Sequence, residues 1–156
     1  MTACKLEIFA DYNQIYLHDE SVEADFADKW DDDALKNMAV VIDGAIGFAT
    51  ARNMTVPLEI FFCESEQPLD LDAWEHAVSC GVELGSGSLV VRGPSDYLAD
   101  AKRINVKRGY YAAHLLFKGL NTLSEDDLEG DDYYRVVLWP SATTKQLKLL
   151  KGSDYA

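Results

Sequence analysis

Carboxylates are the side chains with the most capacity for chemistry in this sequence: 27 Asp and Glu stand against 14 Lys and Arg, a net charge of −13. They are unevenly spread. Residues 19–33 carry eight acids (Asp19, Glu20, Glu23, Asp25, Asp28, Asp31, Asp32, Asp33) against one base, Lys29. Residues 64–75 carry five (Glu64, Glu66, Asp70, Asp72, Glu75) and residues 125–132 six (Glu125, Asp126, Asp127, Glu129, Asp131, Asp132), both unopposed. Such acids could hydrolyse a glycoside, bind a metal or capture a cationic partner. Two-carboxylate hydrolysis asks for acids in a cleft whose apolar walls move their pKa values, whereas these lie in polar runs. Glu125-x-Asp127-x-Glu129-Gly130 has the opening of a calcium loop, but its twelfth position is Val136, inside a predicted strand, where a bidentate Glu is needed. Direct binding of nucleic acid is disfavoured, because phosphate contacts need a basic surface to release counterions. A cationic protein suits the field. The bland reading is that the acids are a solvated face that keeps the protein soluble.

Other chemistry is thin. The sequence has no phosphate-binding glycine loop, no paired-cysteine motif and no His-Glu-x-x-His helix, so neither metal nor cofactor is expected. His76 and His114 sit among apolar residues of predicted strands, where a packed imidazole is a better reading than a general base. Ser79 is three residues from His76 on a strand, so the two point to opposite faces and make no nucleophile–base pair. Cys4, Cys63 and Cys80 are odd in number and widely spaced, as in reduced thiols of a cytoplasmic protein. No apolar run reaches the roughly 20 residues of a membrane span, and Met1 to Ala10 lacks the features of a signal peptide.

These groups must be positioned by a chain of 156 residues, 48% hydrophobic, with basic clusters at Lys102, Arg103, Lys107, Arg108 and at Lys145, Lys148, Lys151. One helix is predicted over residues 31–42: Asp31, Asp32 and Asp33 suit its partly positive N-terminus, and Ala34, Leu35, Met38, Ala39 and Ile42 recur at helical spacing. Asp43-Gly44 would end it. Strands are predicted at Leu6–Ala10, Tyr12–His18, Ala45–Thr50 and Thr55–Cys63. Trp74–Leu84 alternates cleanly, placing Val78, Val82 and Leu84 on a buried face. Gly85-Ser86-Gly87 is expected to turn this strand back onto Ser88–Arg92 as a hairpin. Lys102–Val106, Tyr110–Phe117 and Tyr133–Trp139 follow, the last stopped by Pro140. Gln146–Leu150 reads as an edge strand or a helical turn. The expected fold is mostly β: an antiparallel two-sheet β-sandwich of eight or nine strands with one main helix, in a single domain spanning 1–156.

The run Trp30-Asp31-Asp32-Asp33-Ala34, then Asp43-Gly44-Ala45-Ile46, Phe48 and Arg52-Asn53, resembles the bacterial competence protein J family, and Tyr12-Asn13-Gln14-Ile15 is similar to that family's aromatic-polar-Gln segment. The resemblance lies mainly within residues 12–62. The family's founding member is described as an inhibitor of a DNA-entry nuclease, so the resemblance implies a non-catalytic, acidic inhibitor that caps a basic nuclease; an immunity protein against a nuclease toxin would use the same physics, and the sequence does not separate the two. In that mechanism Asp31, Asp32 and Asp33, with Glu125, Asp126, Asp127, Glu129, Asp131 and Asp132, would engage Lys or Arg near the partner's cleft. Tyr16 or Trp30 would anchor the centre. The alternative is a ligand-binding sandwich for carbohydrate or calcium, with Trp30, Trp74 or Trp139 as a sugar platform.

Overall fold

The structure, a computed structural model, describes residues 2–153. Its strands are β1 (Thr2–Phe9), β2 (Gln14–Asp19), β3 (Ala39–Ile42), β4 (Ala45–Ala49), β5 (Thr55–Phe62), β6 (His76–Leu84), β7 (Ser88–Arg92), β8 (Lys102–Asn105), β9 (Gly109–Lys118), β10 (Tyr133–Pro140) and β11 (Lys148–Lys151), with one α-helix, α1 (Asp32–Asn37). Six strands form one sheet in the order β1-β5-β10-β9-β6-β11, and five form another in the order β3-β4-β2-β7-β8. All pairings are antiparallel except β5 with β10. This is the expected mostly-β, two-sheet architecture, with eleven strands. Alternation drives it: Leu58 and Ile60 of β5, Val78, Cys80, Val82 and Leu84 of β6, Leu115 and Phe117 of β9, and Val136 and Leu138 of β10 meet Ile15, Leu17, Ile46, Phe48, Leu89 and Val91 of the other sheet in one core. Among the described residues no helix is long and apolar enough to cross a membrane.

Two local expectations are corrected. The helix predicted over 31–42 spans Asp32–Asn37 only, capped by the Asp31 carboxylate, which accepts the Ala34 amide at 2.8 Å. It stops at Met38, whose φ of 56° is left-handed. Ala39–Ile42 is instead an edge strand that pairs with β4 through the Asp43-Gly44 turn, Ile42 lying opposite Ala45. The physical reason is that Val40, Val41 and Ile42 are β-branched, and Asp-Gly with Gly44 at φ +76° is as much a two-residue hairpin turn as a helix stop.

Likewise, β6 and β7 are not a hairpin. β6 lies between β9 and β11, whereas β7 lies between β2 and β8, so the chain crosses from one sheet to the other at Gly85–Gly87. Asp19, at the end of β2, holds that crossing. Its carboxylate accepts the Ser86 amide at 2.9 Å and the Ser86 hydroxyl at 2.7 Å, and also the amide and hydroxyl of Ser21. Burial alone would raise the Asp19 pKa; the Ser21 and Ser86 bonds outweigh it and leave the carboxyl below its ordinary value.

The acidic stretch between β2 and β3 forms a third, partial layer. Phe26 and Ala34 pack on Val40 and Ala45 of the five-stranded sheet, with Tyr16, Val22 and Trp30 around them.

Candidate partner-binding surface

At one end of the sandwich, three connections are laced together: the turn between β1 and β2, the loop between β4 and β5, and the long loop between β9 and β10. Asn13 Nδ2 donates to the carbonyls of Thr50 at 3.2 Å and Ala51 at 3.3 Å, and the Thr50 amide returns a bond to the Asn13 carbonyl at 2.9 Å. The Arg52 guanidinium reaches the third loop through Nε to Asp132 Oδ1 at 2.6 Å and Nη1 to the Leu128 carbonyl at 3.1 Å. Asp132 Oδ2 also accepts the Tyr134 hydroxyl at 2.7 Å, and the Tyr134 hydroxyl oxygen in turn accepts the Ala51 amide at 2.7 Å. A buried carboxylate held by a guanidinium and a phenol is a rigid joint, because breaking either contact strands a charge away from water.

Within the third loop the backbone is also closed on itself. The Ser124 amide donates to the Glu129 carbonyl at 2.7 Å, and the Glu129 amide returns to Ser124 Oγ at 3.0 Å. Asp126 Oδ1 accepts the Ser124 hydroxyl at 2.6 Å and the Leu128 amide at 3.1 Å, which hold its carboxyl below the ordinary range, the Ser124 bond most strongly. At the loop's start Gly119 has φ +71°, and a Cβ there would stand 2.2 Å from the Asp131 carbonyl oxygen, so only glycine lets the two ends of the loop close.

What this frame presents outward is one apolar side chain within a run of exposed acids. Leu128 is 50% exposed, and Glu125, Asp126, Asp127, Glu129 and Asp131 around it are all exposed. Across the lacing, Tyr12 is 71% exposed. It and Asn13 hold left-handed φ values of 56° and 58°, a conformation that costs a tyrosine free energy and is kept here by the Asn13 bonds.

The residues singled out in the sequence are therefore divided. Glu125, Asp126, Asp127, Glu129 and Asp131 share one loop. Asp132 does not join them: its side chain is fully buried against Arg52, so it organises the loop from beneath and offers no carboxylate to a partner. Asp31, Asp32 and Asp33 are exposed but sit on the layer covering the five-stranded sheet, with Asp31 engaged as the helix cap. Among the described residues no hydrogen bond joins them to the β9–β10 loop. Tyr16 is half-buried, its ring 4.8 Å from that of Phe26 and beneath the Arg92 guanidinium, and its hydroxyl donates to Gln14 at 2.7 Å. Trp30 is half-buried too, with Nε1 enclosed and facing no acceptor. The sequence alone does not mark Tyr12, Leu128 or Arg52 as site residues. The signals were faint: Leu128 is a lone apolar residue within an acidic run, and Arg52 is the lone base between Lys36 and Arg92.

The histidines are packed. His76 Nε2 donates to the Asn37 carbonyl at 2.6 Å while Nδ1 accepts the Ser153 amide at 3.1 Å, and its ring stands edge-on to Phe117. His114 lies against Trp139, their centroids 4.7 Å apart. For the sugar and calcium alternatives, the faces of Trp74 and Tyr133 carry the cations of Lys118 and Arg135, and among the described residues no group of three or more His, Cys, Asp or Glu is placed to hold a metal ion.

Among the described residues, fold and surface together define an eleven-stranded, two-sheet sandwich whose end loops are joined by hydrogen bonds and carry exposed acids. Two solved structures share the fold. One is ComJ from Bacillus subtilis, described as an inhibitor of the DNA-degrading activity of NucA; it superposes with a TM-score of 0.64 at 18% identity, over 90% of this chain and 96% of ComJ. The other is the crocagin biosynthetic gene J product, with a TM-score of 0.62 at 13% identity over 90% and 97% of the respective chains. No protein-family model matches the chain, and no curated protein matches it at a significant level. Tyr12, Asn13 and Arg52, which carry part of the competence protein J resemblance, meet at the laced end.

Proposed function

We propose that this chain is a non-catalytic inhibitor of a cationic DNA-degrading enzyme, acting in the cytoplasm by docking its laced acidic end over the enzyme's basic DNA-binding surface. The observation that carries this reading is the β9–β10 loop: five exposed carboxylates flank exposed Leu128 along a backbone held by Arg52 and Ser124. A pre-ordered loop loses little conformational freedom on binding, so more of the contact energy appears as affinity. Leu128 and Tyr12 supply apolar anchors, and the carboxylates steer and exclude anionic competitors. Asp31, Asp32 and Asp33 extend the negative field from the neighbouring layer. The inhibitory activity in ComJ's description lends support through the shared fold. The three free cysteines suit a reducing compartment.

The test is a nuclease assay on duplex DNA with DNA-entry-type nucleases from the source organism, titrated with wild type and with a variant carrying Glu125→Gln, Asp127→Asn, Glu129→Gln and Asp131→Asn. Asp126 is retained because it braces the loop, and Asn tolerates the left-handed backbone at position 127 (φ 60°). Wild type should abolish cleavage stoichiometrically. The still-folded variant should associate at least about tenfold more slowly at low salt and lose most of its salt dependence. Equal inhibition by both proteins, or none by wild type against any of these enzymes, overturns the reading.

A further inference from the structure

A second, chemically different site lies on the outer face of the six-stranded sheet. The connection from β5 to β6 and the sheet beside it line an open hollow of about 470 Å³, within the range of small-molecule sites. Its walls include Phe61, Trp74, His114 and Val137. Two cations sit on aromatic rings at this face. The Arg135 guanidinium carbon lies 4.7 Å from the Phe61 ring centre and 5.1 Å from that of Trp74. Lys118 Nζ lies 5.2 Å from the Trp74 centre and 5.0 Å from that of Tyr133.

Among the described residues Lys118 Nζ has no ion-pair partner, and Arg135 uses Nε on the Tyr133 hydroxyl and Nη2 on Glu59, leaving Nη1 unpaired. Asp70, the acid on the hollow's wall, turns Oδ1 onto the Asp72 amide at 3.0 Å. A largely apolar hollow whose lining includes Lys118 and Arg135 fits a flat apolar body that carries one anionic group.

We propose that this hollow binds a small aromatic carboxylate, its ring against Phe61, His114 and Val137 and its carboxylate between Lys118 Nζ and Arg135 Nη1. The site is independent of the acidic end and of the inhibitor reading.

The test is a titration of the full chain with 2-naphthoate, followed by ¹H–¹⁵N amide shifts, with 2-naphthamide as the neutral isostere. The acid should bind at least ~10-fold more tightly than the amide, with shifts concentrated at residues 61–74, 114–118 and 133–137. Lys118→Gln, at an exposed position, should stay folded with a melting temperature within a few degrees of wild type and erase most of the preference for the acid. Equal affinity for acid and amide, shifts centred elsewhere, no binding at millimolar naphthoate, or an unchanged acid preference in Lys118→Gln would each overturn it.

Discussion

Arg52 Nε stands 2.6 Å from Asp132 Oδ1, with the two side chains 11% and 0% exposed, and this contact ties the loop after β4 to the strand entry of β10 on the opposite sheet. It is the inner support of the surface proposed to meet the partner.

Removing one member should expose how much depends on it. Arg52→Ala or Asp132→Ala leaves the other charge buried and unpaired, and each is expected to cost about 3–5 kcal/mol in chemical denaturation. Replacing both, as Arg52→Met with Asp132→Leu, should cost less than either single change. A double variant as unstable as the sum of its parts would show that the two residues act separately.

Acid should destabilise the fold before its carboxylates titrate. Burial, first, holds His18, His76 and His114 below the ordinary value of 6.5. The unfolded chain therefore takes up protons that the folded chain refuses. Stability is complete above that value, declines as pH falls through it, and levels off only once the folded histidines protonate. Asp19, depressed in the folded state, adds a further loss at pH below 3.8. Denaturant midpoints should fall between pH 7.5 and 5.5; a flat profile over that interval would falsify the packed, neutral assignment.

Val82 of β6 is 3% exposed in the shared core. Val82→Asp should cost more than ~4 kcal/mol because its carboxylate finds no partner there. A melting temperature within a degree or two of wild type would mean that the register of β6 is wrong.

Gly93 marks the point where the two sheets approach at backbone level: a Cβ there would lie 1.8 Å from the Phe9 carbonyl oxygen. Gly93→Ala should force β1 and β7 apart at a cost of about 1–3 kcal/mol, read as a lowered denaturation midpoint with faster amide exchange in β1. Unchanged exchange in β1 would refute that contact.

Asp31→Ala should remove the cap of α1 and lower stability by about 1 kcal/mol, while Asp32→Ala at the same exposed run should cost less. Equal effects in equilibrium denaturation would point to general charge repulsion instead of the cap.

The sequence by itself determined most of the strands and the charge. Alternation in 74–84, the two-sided apolar runs at 110–117 and 133–139 and the stop at Pro140 depend on the period of a pleated strand, which is local. The acidity of residues 125–131 needed no structure either. Only the tertiary structure decided how these pieces are used. Asp43-Gly44 suits a helix end and a hairpin turn equally, and pairing of Ile42 with Ala45 chose the turn. Gly85–Gly87 looks like a hairpin until Asp19, 67 residues away, holds Ser86 at the crossing between sheets. Asp131 and Asp132 are chemically identical neighbours, yet the first is solvated and the second is buried against an arginine 80 residues back along the chain. Periodicity constrains neighbours in sequence, whereas burial and partner choice depend on which distant segments the closed sandwich brings into contact.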